Sequence, residues 1–246
     1  MHKNEFEILF EDDEILAINK PAGMLTIPDR YDKNAPNLVA ILKERYEDIF
    51  TVHRLDKETS GVLLFAKSAS AHRDLSLQFQ EQRVLKIYHA VVGGIVPRDE
   101  IEIDIPLILN PANKPGVLPS ARGKESLTIL KVLERFKTTT LVECNLVTGR
   151  HHQLRAHVAS IGHPLLIDDL YGENTEFFLS SIKKRFNLKK NDEEKPVINR
   201  ITMHAYRIAF AHPETHEQMS LVADYPKDFR VLLQVLKKYS SIRTNF

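Results

Sequence analysis

The chain has 246 residues, enough for one large domain or two modest ones, and 34 Lys plus Arg against 33 Asp plus Glu leave a net charge of +1. That balance excludes a uniformly basic nucleic-acid coat and an acidic disordered chain, while 43% hydrophobic residues suffice for a packed core. The single cysteine, Cys144, excludes an internal disulfide and a Cys-rich zinc site and fits a reducing cytoplasm, and nine glycines leave little room for glycine-rich phosphate loops.

Residues 1–14, with Glu5, Glu7, Glu11, Asp12, Asp13 and Glu14, lack the basic start and apolar run of a secretory segment. The apolar run Val62-Leu63-Leu64-Phe65-Ala66 is far below membrane-spanning length. In chain order, short apolar runs predict strands at 8–10 and 15–19, a helix at 37–44 and a strand at 62–67. A helix follows at 69–82, in which Leu75, Leu77 and Phe79 need packing partners while Gln78, Glu81 and Gln82 face solvent. Strands are predicted at 87–92, 128–133 and 140–147, and a helix at 151–161 that stops at Gly162 with Pro164 just beyond. The last helix is predicted at 226–238. Strands and helices without regular alternation, and without any fixed-period repeat, predict an α+β protein. One domain over residues 1–246 is expected, with a mixed, mostly antiparallel central sheet flanked by helices and loops. Residues 173–200 read as a basic surface insertion: Ile182-Lys183-Lys184-Arg185-Phe186-Asn187-Leu188-Lys189-Lys190 interleaves cations with apolar residues. It is either a solvated face or a place of RNA contact.

Two polar clusters stand out. Val52-His53-Arg54-Leu55-Asp56-Lys57-Glu58-Thr59-Ser60-Gly61 runs straight into an apolar strand, which is where a sheet presents loop chemistry; a hydrogen-bonded turn would use the same residue types. In Thr148-Gly149-Arg150-His151-His152-Gln153-Leu154-Arg155-Ala156-His157, a helix would put Leu154, Val158 and Ile161 toward the core, with His151 and Arg155 on a neighbouring stripe. His152 and His157 are five apart, on different sides of a helix, and no H-E-x-x-H pattern exists, so no metal site is expected. Phosphate-loop, dinucleotide and nucleophile-elbow signatures are absent, and Cys144 reads as a structural thiol. What remains is the lone carboxylate of Asp56 with arginines available, a kit for cofactor-free chemistry on a polyanion.

His53-Arg54-Leu55-Asp56-Lys57-Glu58-Thr59-Ser60-Gly61 resembles the H-R-L-D-x-x-T-S-G signature of the RluA family of pseudouridine synthases. Ile18-Asn19-Lys20-Pro21-Ala22-Gly23 resembles that family's N-K-P-x-G motif, and Lys86-Ile87-Tyr88-His89-Ala90-Val91-Val92-Gly93 its K-x-Y-x-A-x-V-x-G strand. The segment from Thr148 to Arg155, Gly162-His163-Pro164 and Asp168 with Tyr171-Gly172 resemble its long T-G-R-x-H-Q-[LI]-R motif, although Ile167 stands where the family usually has glycine. Met203-His204-Ala205 and His212-Pro213 extend the likeness over nearly the whole chain.

The resemblance implies an RNA pseudouridine synthase. Such an enzyme isomerises uridines in stem-loops of large-subunit rRNA or tRNA by flipping the base, cleaving the glycosidic bond and rejoining the uracil through carbon, with no cofactor. It implies that Asp56 is the catalytic aspartate and Arg155 the arginine that pairs with it. Tyr88 is then the tyrosine packed on the target uracil, and Arg54 the arginine that fills the space of the flipped nucleotide. His53, Thr59, Arg150, His152 and Gln153 join Arg54 as expected substrate-binding or loop-holding residues. No accessory N-terminal RNA-binding module, no DNA or membrane partner, a monomer and a cytoplasmic location are expected. The rival reading is a non-catalytic RNA-binding protein on the same scaffold. The neutral total also hides an asymmetry: residues 1–50 hold 6 basic and 11 acidic residues, and 51–246 hold 28 and 22.

Overall fold

The computed structural model describes residues 6–29, 32, 34–112, 114–188 and 192–242. In chain order the first elements are β1 (Glu7–Glu11), β2 (Ile15–Lys20), α1 (Leu38–Lys43), β3 (Phe50–Thr51), β4 (Ser60–Ala66), α2 (Ala69–Gln80) and β5 (Leu85–Gly93). Next come β6 (Glu100–Asp104), β7 (Leu107–Leu109), β8 (Val117–Pro119), β9 (Leu127–Arg135), β10 (Thr139–Leu146) and α3 (Gln153–Ser160). The chain ends with β11 (Met203–Ala211), β12 (Gln218–Val222) and α4 (Lys227–Tyr239). The architecture is α+β, with mixed, mostly antiparallel strand pairing: β4 and β11 run parallel, and the other pairings described below are antiparallel. No helix among the described residues is long and apolar enough to cross a membrane. Clustering of contacts divides the chain into two units, Met1–Tyr88 with His204–Asp224, and His89–Met203 with Tyr225–Phe246.

In the first unit β4 pairs antiparallel with β2, from Ile15 opposite Ala66 to Lys20 opposite Gly61. It pairs in parallel with β11 at Ser60–His204 and Gly61–Ala205. The unbroken apolar run of β4 follows from burial on both faces. Val62 and Leu64 join Ile15, Ala17 and the Ala71 and Leu75 of α2 in one cluster. Leu63 and Phe65 join Leu16, Ile18 and the Leu38 and Leu42 of α1 in another. Ser68 caps α2 by accepting the Ala71 amide at 3.1 Å.

One expectation for α2 is corrected. Gln78 is buried and Leu77 is 44% exposed, because Ala71, Leu75 and Gln78 follow helical spacing on one face. The Gln78 amide clamps the last residue of β11, donating to Ala211 O at 2.8 Å and accepting from Ala211 N at 3.0 Å. A polar side chain here does the work of a missing ladder partner.

In the second unit β9 lies between β10 and β6, both antiparallel to it. β6 (Glu-Ile-Glu-Ile-Asp) is short and highly charged, and β11 mixes His, Tyr and Arg; neither shows a clear apolar run in the sequence. Residues Gln153 to Val158 of α3 are buried. From α4, Phe229, Leu232, Leu233 and Leu236 are buried against Val91, Phe136 and Leu141. Phe177, Ile182, Val197 and Ile198 join the same cluster, so segment 173–200 is anchored on α4 by apolar contacts, with Phe177 bridged to Ile198. Lys189 and Lys190 of that segment lie outside the described residues. Cys144 is fully buried, and burial with the neighbouring Glu143 charge pushes its thiol far above the usual range, consistent with an inert structural role.

Candidate active site

In the first unit the loop that ends in Gly61 carries Asp56, and backbone and side chains hold it from several sides. Thr59 N–H closes a turn onto Asp56 O at 3.1 Å, and Gly23 N–H donates to Lys57 O at 2.9 Å. Lys20, at the end of β2, is wholly buried and uses its three donors on backbone carbonyls: Pro21 O at 2.8 Å, Met24 O at 2.7 Å and Lys57 O at 3.0 Å. A buried ammonium thus ties the N-K-P-x-G segment to the residue next to Asp56. Thr26 adds a second tie, its Oγ1 donating to Leu55 O at 3.1 Å and accepting from Leu55 N at 3.3 Å.

The far side of the loop is pinned by β11. Ser60 Oγ bonds His204 Nδ1 at 2.9 Å, and His204 Nε2 bonds Ala223 O at 3.1 Å. The carbonyl needs a donor, so Nε2 carries the proton and Nδ1 accepts from the serine. Gly61 has φ +120°, and a Cβ there would stand 2.1 Å from Ala205 O. Only glycine lets β4 pass β11 at this distance.

Tyr88 packs against the cluster that contains Leu55. Burial, and after it the negative charge of Asp56, push its phenol well above the ordinary tyrosine range, so the hydroxyl stays protonated beside the carboxylate. Lys86, two residues earlier on the strand, is buried, and burial lowers its ammonium to about 8. His53 is turned inward: its ring stacks on Phe79 at 4.9 Å and its Nε2 accepts Leu64 N–H at 3.0 Å. Burial, then the Lys86 charge, drive it down to about 3, so His53 is neutral and serves β4 as a backbone acceptor. Thr59 is likewise buried, whereas Arg54 and Lys57 are exposed on either side of Asp56. A cavity of about 220 Å³ lies between residues 25–29 and Arg54, Leu55 and Lys57. That is smaller than the roughly 300–1,000 Å³ of drug-sized ligand sites.

In the second unit Gln153 opens α3 with its amide fully engaged. Oε1 accepts from Thr148 Oγ1 at 2.7 Å and Arg150 N at 2.9 Å, and Nε2 donates to Leu127 O and Thr128 Oγ1, each at 3.0 Å. Gln153 therefore locks the turn 148–153 onto β9. Arg150 is exposed, its Nε donating to Glu125 O at 3.0 Å. His152 takes the left-handed conformation at φ +51°, stacks on His151 at 3.8 Å, and contacts Tyr171 Oη and Arg155 Nη1, each at 3.3 Å.

Arg155 forms a bidentate ion pair with Asp168, Nε to Oδ2 at 2.7 Å and Nη2 to Oδ1 at 2.6 Å, and its guanidinium lies 5.2 Å from the Tyr171 ring centroid. Burial works to raise the Asp168 carboxyl, but the Arg155 hydrogen bonds and charge and the Tyr171 and Leu170 amides overcome it and hold the group below its ordinary value. Sequence reasoning had matched Asp168 to the family motif without giving it a task; its task is to hold Arg155. Lys20 and His204 are matched only as motif letters and Thr26 lies outside those motifs, because their roles depend on backbone groups that no spacing rule reveals.

The RNA pseudouridylate synthase family model matches residues 14–160. The dual-specificity RNA pseudouridine synthase RluA of Vibrio parahaemolyticus is 38% identical over 229 residues, covering 91% of this chain and 84% of its own. Ribosomal large subunit pseudouridine synthase D of Neisseria meningitidis is 37% identical over 237 residues, 94% of this chain and 61% of its own length. The solved structure of human RNA pseudouridylate synthase domain containing 1 shares the fold, with a TM-score of 0.68 at 24% identity over 97% of both chains. The chain belongs to the RluA family of RNA pseudouridylate synthases. It is an isomerase whose partner is RNA.

Proposed function

We propose that this protein converts specific uridines in structured RNA, in stem-loops of large-subunit rRNA, of tRNA or of both, to pseudouridine, with Asp56 as the catalytic group. The observation that carries the reading is a loop carboxylate held from several sides, in the same unit as a tyrosine packed on the Leu55 cluster. Asp56 sits at the centre of a loop anchored by Lys20, Thr26 and Ser60, and its charge is felt by the Tyr88 hydroxyl. The reaction breaks the bond from N1 of uracil to the ribose, turns the base and makes the bond from C5. The proton lost from C5 is balanced by the one gained at N1, so no cofactor is consumed. Asp56 supplies the negative charge that assists the glycosidic cleavage, and Tyr88 packs on the uracil with a proton to donate.

Arg54 and Lys57, exposed beside Asp56, meet the RNA backbone and the gap left by the flipped nucleotide, which costs least in a loop where stacking is already broken. Arg155 acts in catalysis, Arg150 and His152 face the RNA, and His53, Thr59 and Gln153 hold the segments that carry these groups. A relative named as a dual-specificity RNA pseudouridine synthase and one named for the ribosomal large subunit support RNA of this kind as substrate. We assign a cytoplasmic location and a monomer, the latter checked by sedimentation of the free protein.

The deciding experiment is pseudouridine mapping of rRNA and tRNA from cells lacking the gene, complemented by wild type or Asp56→Asn. Wild type should restore the missing pseudouridines. Asp56→Asn should restore none while folding normally and binding RNA within about threefold of wild type, since only the carboxylate charge is removed and the side chain keeps its size. Full activity in a folded Asp56→Asn protein would sink the assignment.

A further inference from the structure

Lys183 and Lys238 come from separate parts of the second unit and meet at one ring. Lys183 Nζ lies 5.7 Å from the Tyr239 ring centroid and 5.8 Å from that of Phe186, and Lys238 Nζ lies 5.4 Å from Tyr239. Lys184 and Arg185 are exposed beside Lys183, and Lys237 precedes Lys238 in the last turn of α4. Exposed Lys137 joins them, because its amide donates to Ser240 O at 2.8 Å. Of these six cations Lys237 pairs with Glu134 at 3.3 Å, and Glu194 of the same segment accepts the Ser180 amide at 2.8 Å. Among the described residues, Lys137, Lys183, Lys184, Arg185 and Lys238 have no carboxylate within ion-pair distance.

Lysines in a last helical turn suit the negative end of the helix, which accounts for Lys237 and Lys238. It does not account for Lys183, Lys184 and Arg185, which the apolar anchors Phe177, Ile182 and Val197 deliver to α4 from another segment. Gathering like charges costs repulsion that an anion such as an RNA phosphate relieves. We propose that the 183–186 turn and the C-terminal end of α4 form a docking surface for RNA phosphates, separate in its residues from the candidate catalytic set. This rests on the reading of the protein as an enzyme acting on RNA.

The test compares wild type with the triple variant Lys184→Ala, Arg185→Asn and Lys238→Ala. All three positions are exposed, and Asn suits the left-handed backbone of Arg185 at φ +58°. Binding of unmodified tRNA and large-subunit rRNA transcripts is measured from about 50 to 200 mM salt, alongside isomerisation kinetics. The slope of log affinity against log salt should fall by about 2 and affinity by about tenfold at low salt, with KM raised and kcat at saturating RNA unchanged. A charge-conserving variant, Lys184→Arg with Lys238→Arg, should keep the wild-type slope, which separates charge from fold. A triple variant with wild-type affinity and slope overturns the proposal. So does loss of kcat with unchanged binding, or an arginine variant as weak as the triple. Wild-type binding to phosphatidylserine vesicles, with the RNA slope unchanged in the triple variant, would make the surface a lipid site and also overturn it. If wild type makes no pseudouridine in either RNA, the functional reading fails instead, and the salt slopes still decide the docking surface.

Discussion

Arg155→Ala separates what the arginine does for the fold from what it does for the reaction. The Asp168 side chain is 0% exposed and the Arg155 side chain 7%, and two short bonds join them. Deleting one member of such a pair leaves an uncompensated buried charge, which costs about 3–5 kcal/mol. Asp168 Oδ1 keeps the Leu170 and Tyr171 amides at 3.0 Å, which places the loss at the lower end, about 3 kcal/mol. For a chain of this size that is a fall in Tm of roughly 6–12 °C. Adding Asp168→Asn to Arg155→Ala removes the stranded charge and should recover about 2 kcal/mol.

Acidification gives an independent sign. The folded carboxyl of Asp168 lies below its unfolded value, so the stability it contributes is present above the unfolded value and is lost as pH falls through the folded one. Without Arg155, burial raises the folded value instead, so the single variant should gain stability relative to wild type as the medium turns acidic. Thermal melts followed by circular dichroism at neutral and acidic pH read both effects, and isomerisation is assayed well below the variant's midpoint. An Arg155→Ala protein that melts within about 2 °C of wild type, or that loses stability on acidification as wild type does, would refute the buried-pair argument.

Tyr88→Phe keeps the ring and removes the proton, and should slow isomerisation by about 10²-fold with RNA affinity little changed, measured in single turnover; a full rate would show that the hydroxyl takes no part. Gly61→Ala puts a Cβ 2.1 Å from Ala205 O, which demands separation of β4 from β11 and should cost more than about 4 kcal/mol, read as loss of soluble folded protein; a melt close to wild type would contradict the parallel register. Lys86 is lowered to about 8, so between that pH and the unfolded lysine value the unfolded chain holds the extra proton and stability rises with pH. Lys86→Met should abolish that rise in alkaline denaturation curves; an unchanged rise would place its source elsewhere.

Three separate motifs name Asp56, Tyr88 and Arg155 as candidates from sequence, and apolar runs located β2, β4 and β10 closely. What stayed hidden shares one physical origin: groups whose value lies in bonds to distant backbone. Lys20 reads as a surface lysine until Pro21, Met24 and Lys57 carbonyls surround it. Gln78 reads as a solvent-facing residue until Ala211 arrives from 133 positions away. His53, which the motif suggests as a substrate contact, is spent on the Leu64 amide. β6 and β11 escaped because their charged and aromatic residues interrupt the apolar pattern on which strand prediction depends.

The register of β4 against β11 has a consequence for synthesis. Ser60 meets His204 across 144 residues, and Gly61 meets Ala205 in the same parallel step. A chain still growing on the ribosome therefore carries the complete Asp56 loop long before the strand that braces it has been made. Contacts this distant in sequence close late, and the first unit is finished only when Asp224 has emerged. An enzyme assembled in that order gains its braced carboxylate only after His204 and Ala205 have left the ribosome.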